Sequence, residues 1–230
     1  MIFPLPTAEE KAALLSRHAA RFPEAFTCKV PGDAGAEEEL RIVLGVPAAD
    51  APGWANSIAA SLKPRSVDVD EDALVADCLL WPAARDWAKL LERWPALAGR
   101  AARACRLKLG SSLDMIDEPK KGDKPPEFVV AAQAANPAVV WRILTPSKGV
   151  RVDVAIAPPT EIVWRSFRDA IQPADAPCWK LALDVANNAL VASSTTAVDL
   201  FARYPGAALL VTLTASHLAG VNAEFHRGEF

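Results

Sequence analysis

Apolar residues alternate with polar ones at period two in two early stretches, Phe26, Cys28 and Val30, and then Leu40, Ile42, Leu44 and Val46. With the turn formers Pro31-Gly32-Asp33-Ala34-Gly35 between them, they predict a β-hairpin with one buried face. The pattern recurs at Val140, Trp141 and Ile143, a turn around Pro146-Ser147-Lys148-Gly149, and Val150, Val152, Val154 and Ile156. Elsewhere the spacing is helical. Trp87, Leu90, Leu91 and Trp94 fall at i, i+3, i+4 and i+7 and predict a helix over 84–94; Ala197, Leu200, Phe201 and Tyr204 repeat that stripe. Further helices are expected over 54–62 and 160–171, over 70–80 and 180–191, and from Leu97 to about Leu109 and Ala208 to about Leu218. Gly110 and Gly220 suit helix C-termini. Thr7 and Glu10 have the spacing of a capping box and open a helix over 8–21. Ser193 and Ser194 are expected to cap the helix that carries Leu200.

These elements come in two sets. Arg41 to Gly110 matches Arg151 to Gly220 without a gap, at a constant offset of 110 (151 − 41). Val75-Ala76-Asp77 lies against Val185-Ala186-Asn187, and Leu90, Arg93 and Pro95 against Leu200, Arg203 and Pro205. Ile42, Leu44 and Val46 fall in phase with Val152, Val154 and Ile156, which predicts one strand register for both copies. The fold class is therefore α+β with a tandem duplication, each unit a β-hairpin followed by three or four helices. The first unit, with its N-terminal helix, is expected to span 1–115. A charged, proline-rich linker then covers 116–127, and the second unit 128–230, opening with a short helix over 128–135.

A chain of 230 residues with 51% hydrophobic and 23% charged residues can bury a core in each unit, and a net charge of -3 argues against nucleic acid as the main partner. No stretch reaches the roughly 20 apolar residues of a membrane span. Cys28, Cys78, Cys105 and Cys178 form no CxxC pair and are read as reduced thiols of a cytosolic protein. His18, His217 and His226 stand apart without metal-ligand spacing. The clusters Glu37-Glu38-Glu39 and Asp68 to Asp72 suit a turn and a helix start. Neither GxGxxG nor a phosphate-binding loop is present. No catalytic residue, cofactor or metal is expected.

Recognition residues remain. Arg100, Arg103 and Arg106, with Lys108, put positive charge along one helix, while Leu210, Leu213 and Ser216 stand at the matching places of the second copy. Trp81 aligns with Val191 and Trp179 with Val69, so these two tryptophans are candidate exposed anchors. Arg93 and Arg203 each precede an aromatic residue and a proline, and are expected to pair with a neighbouring carboxylate or a helix C-terminal carbonyl.

The run Asp77-Cys78-Leu79-Leu80-Trp81-Pro82, then Trp87, Leu90 to Ala98, Leu107 and Gly110, resembles tailed-phage tail assembly chaperones and related assembly proteins of T4-type baseplates. The resemblance covers about 40 residues of apolar spacing and implies no catalytic residue. It implies a non-enzymatic phage protein in tail or baseplate assembly or structure, binding other tail proteins. Such a protein acts in the host cytoplasm during assembly, or in the virion. Small-molecule ligands, nucleic acid and membranes are not expected partners. Two other readings stay open: a small-molecule enzyme with its active site between the units, and a bacterial effector or immunity protein of plain binding function.

Overall fold

The computed structural model describes residues 7–32, 37–63, 67–112, 115–173 and 175–220, and its contacts divide the chain into two units, Met1–Gly110 and Ser111–Phe230. Both units are mixed α+β with antiparallel sheets.

In the first unit, helix α1 (Ala8–Arg17) starts at the expected capping box: Thr7 and Glu10 satisfy each other's backbone amides. The helix buries no residue and stops short of the expected end, because a separate 3-10 turn, Ala19–Arg21, follows it. Strands β1 (Glu24–Pro31) and β2 (Glu37–Leu44) form the hairpin, with Phe26 opposite Ile42 and Cys28 opposite Leu40. Most of the expected turn, residues 33–36, lies outside the described residues. Helices α2 (Pro52–Leu62) and α3 (Glu71–Cys78) follow. Asp70 caps α3 by accepting from the Ala73 amide at 2.9 Å, and Glu71 and Asp72 fill the first turn, so the acidic run serves a helix start. Strand β3 (Leu79–Trp81) then returns to pair with β2, and α4 (Ala84–Arg93) and α5 (Leu97–Leu109) complete the unit. Gly110 ends α5 at φ 68°, a left-handed cap that a side chain would strain.

The second unit begins with β4 (Ile116–Asp117) and α6 (Glu127–Ala135). Strands β5 (Val140–Ser147) and β6 (Val150–Ile156) make the hairpin around Gly149, whose φ is 78°. They are followed by α7 (Glu161–Ile171), α8 (Cys178–Ala189), β7 (Leu190–Ser193), α9 (Ala197–Arg203) and α10 (Pro205–Leu218). The sheet runs β4-β5-β6-β7. Helix α6 covers one of its faces, packing Val129 and Ala132 with Trp141, Ile143 and Ala155. Val152, Val154 and Ile156 of β6 are also buried, and α10 is buried along Pro205–Thr212. The hydroxyl of Thr212, fully buried, donates to the Ala182 carbonyl of α8 at 2.6 Å, which satisfies a polar group inside an apolar helix contact.

Three expectations change. The third strand of each hairpin sheet, β3 and β7, was hidden between helices. Each is too short to show a period, and Leu79-Leu80-Trp81 reads equally well as the tail of a helix. The segment expected to start the linker belongs to a sheet, since Ile116 and Asp117 pair with Leu144 and Ile143, and Glu118 holds Arg142 at 2.8 Å. Helix α9 is capped by Thr196, not by Ser193 or Ser194. Ser193 ends β7, and the Ser194 hydroxyl accepts from the Asp153 amide at 3.1 Å.

From the hairpin onward both units run strand, strand, helix, helix, strand, helix, helix. The constant offset fails within that order. By ladder position Leu44, opposite Glu24, corresponds to Ile156, opposite Val140, whereas the ungapped match expects Val154. The displacement is two residues, an even step that leaves the same side chains on the same face. In the second helix after the hairpin, α3 or α8, the buried positions Leu74, Val75 and Cys78 find counterparts in Val185, Ala186 and Ala189, one residue beyond the expected partners. Cys78 therefore matches a buried alanine and not the exposed Asn188. Only from Leu90 and Leu200 does the original spacing hold: both are buried, and each carbonyl accepts the amide of the aromatic residue that ends its helix.

Candidate functional site

In the first unit, the corner between α4 and α5 stands over the far end of the hairpin. Helix α4 ends at Arg93, and Trp94 leaves helical geometry at φ −133°, ψ 78°, its amide still donating to the Leu90 carbonyl at 2.8 Å. Pro95 disfavours helical geometry at the residue before it, and α5 starts at Leu97. Released this way, the Trp94 ring swings to the sheet, and its indole N–H donates to the Pro31 carbonyl at 3.0 Å. The Arg93 guanidinium stacks on that ring at 4.5 Å from the centroid, and lies 3.9 Å from the Glu38 carboxylate. A carboxylate partner thus holds Arg93, as expected, and an aromatic ring, which was not expected, holds it as well.

Between this corner and the hairpin lies a groove of about 590 Å³, with Val30, Pro31, Trp94, Pro95 and Leu97 as its apolar lining and Lys29, Glu37, Arg93 and Arg100 as its charges. A narrower cavity of about 180 Å³ continues from it along β1, past Phe26, Thr27 and Cys28 on one side and Ala101, Arg103, Ala104 and Leu107 of α5 on the other. Leu97 and Arg100 border both spaces, so the two form one cleft. Arg100 Nη1 donates to the Lys29 carbonyl at 3.2 Å, which fixes it across the cleft. The Lys29 ammonium pairs with Glu37 at 2.7 Å, an exposed contact worth little stability. Against the two carboxylates Glu37 and Glu38, which hold Lys29 and Arg93, stand four cations, Lys29, Arg93, Arg100 and Arg103, so the cleft keeps an excess of positive charge on a chain whose net charge is negative.

Burial pushes the Cys28 thiol up from its ordinary value, with the Arg100 charge pulling the other way. At neutral pH the group is a thiol and not the thiolate that nucleophilic chemistry needs. No group of three or more His, Cys, Asp or Glu side chains that could hold a metal ion occurs among the described residues. His18 caps the end of α1, His217 lies exposed near the end of α10, and His226 is outside the described residues. The chemistry on offer at the cleft is apolar burial with charge-assisted hydrogen bonding.

Of the residues singled out by sequence, Arg100 and Arg103 come together at the cleft. Arg106 turns away, to Glu71 of α3 at 3.4 Å, and Lys108 is buried with Glu24 at 3.2 Å. The expected row of charge is therefore split by the helical turn, because residues three apart along α5 drift off its open face. Trp81 is half-buried in β3 opposite Val43, and Trp179 is half-buried at the start of α8, so neither stands out as an exposed anchor. Trp94 was assigned to an apolar stripe, yet only Trp87 and Leu90 of that stripe are buried. Its signal was the tripeptide Arg93-Trp94-Pro95, repeated as Arg203-Tyr204-Pro205, and the stacking repeats too, with Arg203 at 5.6 Å from the Tyr204 ring.

No helix among the described residues is long and apolar enough to cross a membrane. Comparison with protein-family models, curated proteins and solved structures finds no match.

Proposed function

We propose that this chain works by holding another protein, in the assembly or structure of a phage tail or baseplate, and that the cleft of the first unit is the docking face. The observation that carries the binding role is the lining of the cleft, where apolar walls are edged by Arg93, Arg100, Arg103 and Lys29. Interfaces favour this composition, since arginine and aromatic side chains bury area and still satisfy polar partners. The tail and baseplate context rests on the resemblance of the run from Asp77 to Gly110. The chain does this without catalysis, its partners are other tail proteins, and it acts in the host cytoplasm during assembly or within the virion. The shared order of elements in the two units supports their origin from one duplicated unit.

Co-expression of the full chain with tube, sheath and baseplate proteins, followed by affinity capture and analytical ultracentrifugation, tests the reading. A stable complex with one of them, weakened at least tenfold by Trp94→Ala, is expected. Sedimentation as a free chain in every mixture overturns it.

A further inference from the structure

The strand β1, which borders the cleft of the first unit, is the one whose counterpart in the second unit carries an additional strand. In the second sheet β4 runs along the outer edge of β5, Ile116 opposite Leu144 and Asp117 opposite Ile143. Val140 stands opposite Ile156 as Glu24 stands opposite Leu44, so Ile143 and Leu144 correspond to Thr27 and Cys28. In the first unit, among the described residues, β1 ends its sheet, and Thr27 and Cys28 border the 180 Å³ cavity, which Ile42 of β2 lines as well. A strand edge of this kind presents a row of backbone donors and acceptors to any extended chain. The Lys29 and Pro31 carbonyls, two residues apart and so on one edge, are taken by Arg100 and Trp94. Those two side chains close the far end of the edge, and Thr27 continues it into the cavity.

We infer that β1 accepts an extended segment of a protein partner as a fourth strand, and that this segment carries an aliphatic residue followed by carboxylates. The inference rests on the proposal that the cleft holds another protein, and names the chemistry of what it holds. The chain's own β4 supplies the pattern: Ile116 is followed by Asp117 and Glu118, and Glu118 pairs with Arg142 of β5 at 2.8 Å. At the first edge, Phe26, Leu97 and Leu107 offer the apolar contact, and Arg100, Arg103 and Lys29 offer the positive charge. Backbone pairing gives such a complex its affinity, and the side-chain pockets give it selectivity. A second copy of this chain would bring another cationic edge, which the same charges disfavour.

The probe is a fluorescein-labelled peptide of residues 112–119, Ser-Leu-Asp-Met-Ile-Asp-Glu-Pro, titrated onto the full chain and read by anisotropy and by backbone hydrogen exchange. Saturable binding is expected, with slowed exchange of the Thr27 amide. The peptide with its acids replaced by Asn and Gln should bind at least tenfold more weakly. Arg103→Glu, on the exposed side of α5, should weaken binding several-fold with the unfolding midpoint unchanged. Thr27→Pro, which removes an edge donor, should abolish it. Absence of saturable binding, binding insensitive to both variants, unchanged Thr27 exchange, or self-association through β1 overturns the inference. If tail proteins are captured equally well by Arg103→Glu and Thr27→Pro, the proposed function stands and the edge assignment fails; peptide binding without capture of any tail protein gives the reverse.

Discussion

The indole N–H of Trp94 donates to the Pro31 carbonyl at 3.0 Å, tying the α4–α5 corner to the far end of the first hairpin strand. Tyr204 holds the same place in the second unit, its hydroxyl 3.5 Å from Ser147 Oγ at the end of β5. The first contact has ordinary hydrogen-bond length and the second is at the limit. Trp94→Phe keeps a ring for Arg93 and removes only the donor, so it should cost about 1 kcal/mol. Tyr204→Phe should stay within about 0.5 kcal/mol. Urea unfolding of the full chain followed by circular dichroism compares the two, and equal losses would refute the difference.

Asp77 Oδ2 accepts from the backbone amides of Gly53 and Trp54 at 2.7 and 3.0 Å. It caps α2 from another helix, in place of the local cap that Ala51 cannot provide. Asp77→Ala leaves two amides of a first turn without their acceptor and should destabilise by about 1–3 kcal/mol, with Asp77→Asn in between. Gly53→Ala should be worse, since its Cβ would fall 2.2 Å from the Ala73 carbonyl carbon, a backbone atom that cannot step aside. Thermal melts of the three variants should rank Asn above Ala at position 77, with Gly53→Ala lowest.

Lys108 has a side chain only 3% exposed, and its ammonium sits 3.2 Å from Glu24, which is 45% exposed. Removing the carboxylate strands a charge in poor solvent, while replacing the lysine by an apolar chain of like volume does not. Glu24→Ala is expected to cost about 1–2 kcal/mol after allowance for water at the glutamate, and Lys108→Met less than that. Denaturation midpoints at low and high salt check the order; Lys108→Met as the more damaging change would contradict it.

Hydrogen bonding to Cys78, together with burial, pushes the Cys105 thiol far above the ordinary value of 9.0, and burial alone raises Cys28. A thiol raised in the fold stabilises below its unfolded value and loses that contribution as pH climbs past it, because the unfolded chain then sheds the proton first. Stability should therefore fall above about pH 9, and Cys105→Ala should flatten that decline. With a thiol reagent at neutral pH, half-buried Cys28 should react slowly, and buried Cys78, Cys105 and Cys178 only on unfolding. Fast labelling of Cys105 in the folded chain would disprove its placement.

The charge on the cleft of the first unit came partly from sequence. Arg100 and Arg103 were visible as a difference between matched helices, since Leu210, fully buried in α10, replaces Arg100. Trp94 was not, because periodicity cannot tell a stripe that ends inside a helix from one that runs past its cap.

Periodicity by itself determined the α+β class, both hairpins, the long helices and the capping box at Thr7, because each depends on side chains close in the chain. Tertiary structure decided which segments pair: β3 with β2, β7 with β6, and β4 with β5. Two to four residues carry no period of their own, and take their conformation from a sheet edge that forms far away in sequence. The same edge decided the difference between the units, for it is filled by Ile116-Asp117 in one and stands beside Arg100 in the other.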